Sequence, residues 1–197
     1  MMTDLLALWL PILVSAVAVF FASFVFWAAT PWHHKDVRVV PDAGRADAAI
    51  ASLGLPPGFY MLPNTHDKAE MRSEAFAERV RGGPWVTINV FGGQPNMGRN
   101  LALSFLTILL TSIGVAYLAA VALPPGAEGP KVFQVTCTAA VLAYAFGGML
   151  NAIWFGKPVG WVVRDLIDAL VFALITAACL ASASHHGAPS PVKPGTR

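Results

Sequence analysis

Residues Leu5–Ala29 read LLALWLPILVSAVAVFFASFVFWAA, twenty-five consecutive residues without a charged side chain. A helix needs about 20 apolar residues to cross a hydrocarbon core about 30 Å thick. The run also exceeds the roughly 7 to 15 apolar residues of a cleavable signal peptide, and Asp4 precedes it instead of a basic residue. We therefore expect an uncleaved transmembrane helix 1 over residues 5–29.

Three more apolar runs follow in the second half of the chain. They predict transmembrane helices 2, 3 and 4 over residues 101–123, 132–154 and 161–183. The turn at residues 155–158 is so short that helices 3 and 4 must form an antiparallel hairpin. Residues 184–197 are rich in Gly, Pro and Ser and are expected to form a disordered tail.

The composition agrees with a membrane protein. The chain is 56% hydrophobic and only 12% charged, against about 25% charged in soluble domains. The net charge is only +2, and the Lys and Arg residues do not form a basic patch. Both observations argue against a nucleic-acid partner. Cys137 and Cys179 both lie in apolar runs and are expected to be free thiols.

The polar segment 31–98 has the pattern of a small folded unit. Asp42 can begin a helix that ends before Gly54, and residues 59–62 form a short extended piece. Residues 67–80 predict a charged helix, and residues 85–91 alternate as a half-buried strand. The predicted fold class is a membrane all-α bundle of four transmembrane helices with a small α+β polar cap, ordered αβαβ, between helices 1 and 2.

The distribution of Lys and Arg predicts the orientation. Ten of these residues lie in the polar segment, at Arg99 and near the turn after helix 3, and three lie on the other side. The positive-inside tendency therefore places segment 31–98 in the cytoplasm and both termini outside.

Ionisable residues are scarce in the predicted spans, and only helix 4 has them: Arg164, Asp165 and Asp168 in its first turns. One hypothesis is a cation or proton site in which Arg164 pairs with Asp168 across one helical turn. The favoured one is an interfacial cluster that pairs with Lys157 or lipid headgroups. Gln134 and Asn151 complete the candidate intramembrane polar site.

Small residues recur at four-residue intervals on several spans. Such faces let helices approach closely, either within the bundle, which we favour, or against a partner. The candidate packing residues are Ala139, Ala143 and Gly147 on helix 3, and Ala169, Ala173, Ala177 and Ala181 on helix 4.

The histidines do not form a recognisable metal or cofactor site. His33 and His34 are expected in the lipid headgroup region, and His66 with Asp67 and Glu70 lacks a further strong ligand. No predicted span contains a deep histidine for heme or chlorophyll. We predict no metal, no cofactor and no catalytic residues.

The order of motifs resembles that of a family of uncharacterised bacterial inner-membrane proteins of similar length. The resemblance rests on LWLPILVSAVAVF (8–20), PWHHKDVRVVPD (31–42), LPPGFYMLP (55–63), GGQPNMGRNL (92–101), VFQVTCTAAVLAYAFGG (132–148) and AIWFGKPVGWVVRDLIDALVFALITA (152–177). It implies the same architecture and a bacterial cytoplasmic membrane. The resemblance assigns no catalytic role to any residue of this chain.

These observations favour a non-enzymatic integral membrane protein, an accessory or scaffold subunit of a larger membrane assembly. Its expected partners are the lipid bilayer and another membrane protein or further copies of itself. The alternative is a small oligomeric transporter or channel near Gln134, Asn151 and Asp168. A lipid-modifying enzyme, using His33, His34 and His66, is a third hypothesis.

Overall fold

The computed structural model describes residues 7–186 of the chain, which form two compact units. The helical unit comprises residues up to Arg38 and those from Gly98 onward. The second unit comprises Val39–Met97.

Four helices are long and apolar enough to cross a membrane. The candidate spans are Trp9–Ala29, Met97–Ala122, Gly129–Trp154 and Val159–Ala183. Together with a small two-stranded sheet they make a mostly helical protein, consistent with a helical membrane bundle. Four spans of this kind indicate a multi-pass integral membrane protein.

The first span is not a uniform α-helix. Helix α1 (Trp9–Phe24) continues directly into a π-helical segment, Val25–Ala29, before the backbone becomes extended at Thr30. The sequence predicts a span here but not this change of helix type. Short π-helical turns occur often at functional sites.

The third span is interrupted. Helix α6 (Gly129–Phe146) ends at Gly147, and a short helix α7 (Met149–Trp154) begins after Gly148. The sequence predicts one continuous helix over residues 132–154. Two successive glycines weaken a helix because they gain most conformational freedom when it opens.

The second and fourth spans are longer than predicted. Helix α5 covers Met97–Ala122, and helix α8 covers Val159–His186 after a turn in which Gly156 has a φ of 65°. Three residues of the predicted tail, 184–186, therefore belong to α8. The rest of that tail, residues 187–197, lies outside the described residues.

The core of the helical unit is built around α8, which packs against α6 and α1. Its four small residues Ala169, Ala173, Ala177 and Ala181 are all buried. Such side chains let neighbouring helices approach closely. All four spans contribute to one cluster of buried apolar residues: Ile12, Val115, Ala116, Ala140, Ala173 and Leu180.

The candidate packing face on α6 does not coincide with the side that is buried. Ala139 is half-buried, whereas Ala143 and Gly147 are exposed. The buried side of α6 contains Thr136 and Ala140 instead. One residue corresponds to a rotation of about 100° around a helix, so the candidate face points largely away from the core.

The second unit follows the predicted order of helix, strand, helix and strand, but its second helix is divided. It contains α2 (Ala43–Ser52), β1 (Gly58–Leu62), α3 (Lys68–Met71), α4 (Glu74–Gly82) and β2 (Val86–Val90), with β1 and β2 antiparallel.

The division of that helix has a local cause. The Ser73 hydroxyl accepts a hydrogen bond from the Phe76 N–H at 3.1 Å and so begins α4 as its N-cap. The single helix predicted over residues 67–80 is therefore wrong. Gly54, with a φ of 57°, follows α2 as predicted.

Candidate polar site in the helical unit

The chain after the first span folds back in a series of turns. The His34 N–H donates to the Pro31 carbonyl at 3.2 Å, and the Asp36 N–H donates to the His33 carbonyl at 2.9 Å. The side chains of His33 and Asp36 are buried as a result, with 3% and 0% exposed. His33 therefore lies in the interior of this unit and not on its surface.

His33 bridges two carboxylates that are far apart in the chain. Its Nδ1 lies 2.6 Å from Oδ2 of Asp36, and its Nε2 lies 2.8 Å from Oδ2 of Asp168. Both partners are buried. The bridge joins the segment after the first span to the third turn of α8.

Two further donors complete the arrangement, which we call the His33 cluster (Trp32, His33, Asp36, Arg164 and Asp168). The Trp32 indole N–H donates to Oδ1 of Asp168 at 2.9 Å. The Arg164 Nε donates to Oδ1 of Asp36 at 2.9 Å, and its Nη2 contacts the same oxygen. The Arg164 guanidinium lowers the pKa of Asp36 below its ordinary value, although burial opposes the shift and His33 assists it.

The two short contacts of His33 require one proton each. A neutral imidazole has a single N–H, and an ionised carboxylate has none to donate. A second proton must therefore reside on the imidazole or on Asp168, because Arg164 favours the ionised form of Asp36. If His33 is an imidazolium, the cluster contains two positive groups and two negative carboxylates. The net charge is then zero, which reduces the free energy required to bury these groups.

Aromatic rings surround the His33 cluster. The Trp27 ring, in the π-helical segment, stacks on His33 with centroids 3.9 Å apart and planes 6° apart. Trp161 meets Trp27 edge-on, and the Lys157 ammonium lies 4.4 Å from the Trp161 ring centroid. The stacked indole of Trp27 therefore covers one face of the His33 ring.

A partly enclosed cavity of about 200 Å³ adjoins the cluster. It lies where three spans meet, beside the π-helical segment and the interruption at Gly147–Gly148. Two of its lining residues, Asp165 and Asp168, form its acidic wall. Its aromatic wall consists of Trp27, Tyr144 and Phe172.

The candidate residues in α8 agree with the favoured hypothesis at one position. Asp165 lies 3.9 Å from the Lys157 ammonium, the partner that this hypothesis names. Arg164 pairs with Asp36 and Asp168 with His33, so the alternative hypothesis of an Arg164–Asp168 pair is wrong.

Gln134 and Asn151 are not in the His33 cluster. The Gln134 side-chain oxygen accepts a hydrogen bond from the Lys131 ammonium at 3.1 Å, near the other end of α6. Asn151 is exposed and does not line the cavity.

Trp27, Trp32 and Asp36 were not predicted as site residues from the sequence, and neither was the contact between His33 and Asp168. A signal existed. In a chain with four alternating spans, the end of helix 1 and the start of helix 4 lie on the same side of the membrane. Acidic and basic residues flank both positions, and this makes them natural partners.

A second histidine grouping, around His66, is in the second unit. His66 is exposed there, Asp67 caps Ala69 N–H at 2.8 Å, and Glu70 contacts Thr65 and Arg79. Over residues 7–186 the structure contains no group of three or more His, Cys, Asp or Glu side chains arranged to hold a metal ion.

A second polar feature lies deeper in the bundle. The hydroxyls of Ser112, Tyr144 and Thr176 are buried and within interaction range of one another, yet none makes a hydrogen bond of good geometry in the described part of the chain. Buried hydroxyls without partners are costly and rare. Tyr144 also lines the cavity, so it connects the two polar features.

Comparison of the chain with family models, with curated proteins and with solved structures finds no match.

Proposed function

We propose that this protein is a non-catalytic accessory or scaffold subunit of a larger assembly in the bacterial cytoplasmic membrane. The observation that carries the proposal is the outward direction of the small-residue face on α6. Ala143, and Gly147 at the end of the helix, are exposed there. In lipid, such a face gains close packing when another helix lies against it.

The burial of the spans supports the same conclusion. In the third span 11% of the apolar window is buried within the chain, compared with 39% in the fourth span. Few residues of the third span are therefore fully buried, although α6 packs on α8 and Ala139 contacts the buried cluster. A partner helix, from another protein or from a second copy, would cover the exposed Ala143 and Gly147.

The proposed orientation follows from the basic residues. With the polar segment in the cytoplasm, ten Lys and Arg residues are cytoplasmic and three are outside, as the positive-inside tendency requires. The resemblance to bacterial inner-membrane proteins supports this membrane. Catalysis by His33 has little support, because both of its ring nitrogens are engaged with carboxylates.

The first experiment is affinity purification of the tagged protein from its native membrane in mild detergent. Native mass measurement and mass spectrometry then identify a stoichiometric partner or a homo-oligomer. Ala143→Leu should weaken the association about tenfold, since overpacking a close interface costs about 1–3 kcal/mol. Ala178→Leu is the matched control, because Ala178 is an exposed alanine on α8.

Two results would contradict the proposal. One is a monomer without companions in extracts of the native membrane. The other is an equal effect of Ala143→Leu and Ala178→Leu on the association, since this would show that the α6 face is not the contact surface.

A small oligomeric transporter or channel is the second candidate. It is favoured by the cavity beside Asp168 together with the buried hydroxyls of Ser112, Tyr144 and Thr176, which extend polar chemistry into the bundle. Interrupted helices line the binding sites of many transporters. Flux in proteoliposomes that disappears in Asp168→Asn would support this candidate over the first.

A further inference from the structure

We propose that the cavity beside the His33 cluster binds the ammonium group of a small organic cation. This inference is independent of the accessory role proposed above. The cavity is lined by two acidic residues, Asp165 and Asp168, and by three aromatic residues, Trp27, Tyr144 and Phe172. Carboxylates combined with aromatic faces are characteristic of sites for organic ammonium ions.

The carboxylates of Asp165 and Asp168 have lone pairs that are not used in contacts within the protein. Asp165 is half-buried, and its one ion-pair partner among the described residues is the Lys157 ammonium at 3.9 Å. Asp168 accepts one hydrogen bond from Trp32 and contacts His33, but each carboxylate oxygen has two lone pairs. Both carboxylates can therefore accept a further N–H donor from the cavity.

The size of the cavity limits the ligand. About 200 Å³ corresponds to about six or seven water molecules, which suits an ammonium group with a few carbon atoms and is too small for a drug-sized molecule. A bare metal ion fits less well, because the rings supply no charged or carbonyl ligands and two carboxylates are too few to enclose a divalent cation.

The charges around the cavity favour a cation. The groups that line it are Asp165, Asp168 and Tyr144, while Lys157, Arg164, Asp36 and His33 lie next to these residues. Two of the lining residues are acidic and none is basic.

An ammonium group of this kind has two possible sources, a soluble amine or the ethanolamine headgroup of a phospholipid. The test uses the full-length protein. Isothermal titration calorimetry in detergent compares ethylammonium chloride with potassium chloride at equal ionic strength. Native mass spectrometry from nanodiscs then compares retention of phosphatidylethanolamine with that of phosphatidylcholine.

We expect saturable binding of ethylammonium over potassium, or selective retention of phosphatidylethanolamine. The first result identifies a soluble amine and the second a lipid headgroup. Asp165→Asn should weaken the observed binding about tenfold, because it removes a charge-assisted hydrogen bond. Glu74→Gln, in the second unit, is the matched control for charge and should have no effect.

Lys157→Gln provides an opposite test. It removes the internal ammonium closest to Asp165 and should strengthen binding, in contrast to Asp165→Asn. The proposal is overturned if neither ligand binds selectively, or if Asp165→Asn and Glu74→Gln bind equally well. Retained thermal stability of Asp165→Asn in detergent shows that lost binding is not lost folding.

Discussion

Oppositely charged side chains are paired in both units, but in very different environments. In the helical unit, the side chains of His33, Asp36 and Asp168 are 3%, 0% and 5% exposed. In the second unit, Arg79 and Glu70 form an ion pair at 3.1 Å with exposed fractions of 52% and 44%. The residue types are similar, but only the second pair lies largely exposed at the protein surface.

This difference determines what each pair contributes. An exposed pair competes with water and is worth about 0–1 kcal/mol. A buried pair loses its hydration, so the removal of one member leaves an uncompensated charge or donor. The His33 cluster also joins elements about 130 residues apart, since Arg164 and Asp36 are separated by 128 positions and His33 and Asp168 by 135.

The largest predicted effect is that of Asp168→Ala. This change removes the partner of His33 Nε2 and the acceptor of the Trp32 indole. Breaking a buried pair in this way typically costs about 3–5 kcal/mol. Unfolding of the purified protein by denaturant in mild detergent measures the loss, with Glu74→Ala as the exposed control. A decrease in the free energy of unfolding of less than about 1 kcal/mol would mean that the His33 cluster does not stabilise the fold.

An intermediate effect is expected from acid. Because the folded-state pKa of Asp36 is lowered from its ordinary value of 3.8, the ionised carboxylate stabilises the fold above that value. The contribution is lost as the pH falls through the lowered pKa. The difference in unfolding temperature between the wild type and Asp36→Asn should therefore be full at neutral pH and shrink below 3.8.

The matched control for the acid experiment is Asp47→Asn, at an exposed position of α2. It should leave the unfolding temperature close to that of the wild type at every pH. A difference for Asp36→Asn that is constant from neutral to acid conditions would argue against an ionised Asp36 as its cause.

The smallest effect is expected from Arg79→Gln. The Arg79–Glu70 pair is about half exposed, so its loss should reduce the free energy of unfolding by at most about 1 kcal/mol. Salt should reduce even this difference, since exposed charges are screened. Arg164→Gln, measured in the same buffers, should lower the unfolding temperature by more and depend less on salt.

The spans were predictable because their signal is local. Each long apolar run is sufficient by itself to indicate a helix that crosses a bilayer, and Leu5–Ala29 needs no neighbour for that inference. The strands of the second unit were predictable from local patterns too: β2 from the alternation in residues 85–91, and β1 from the short extended piece at residues 59–62. The break at Ser73 was missed because a serine hydroxyl can cap a helix or remain within it, and only its hydrogen bond decides.

The His33 cluster was harder to predict because it depends on distance in space. Asp168 has a possible partner at Arg164, one turn away, and sequence spacing alone favours that local pair. In the structure, Arg164 instead pairs with Asp36, and Asp168 pairs with His33. Two polar segments from opposite ends of the chain meet, and buried charges must all be satisfied together.

The sequence by itself determined the class of this protein: four apolar runs, their order and the polar segment between the first two. Those properties follow from the transfer of apolar side chains out of water, which depends on composition and length. Only the tertiary structure decided which face of α6 is buried, that Trp27 stacks on His33, and that a cavity adjoins Asp165 and Asp168. These features depend on the rotation of each helix against its neighbours, which many side chains set jointly.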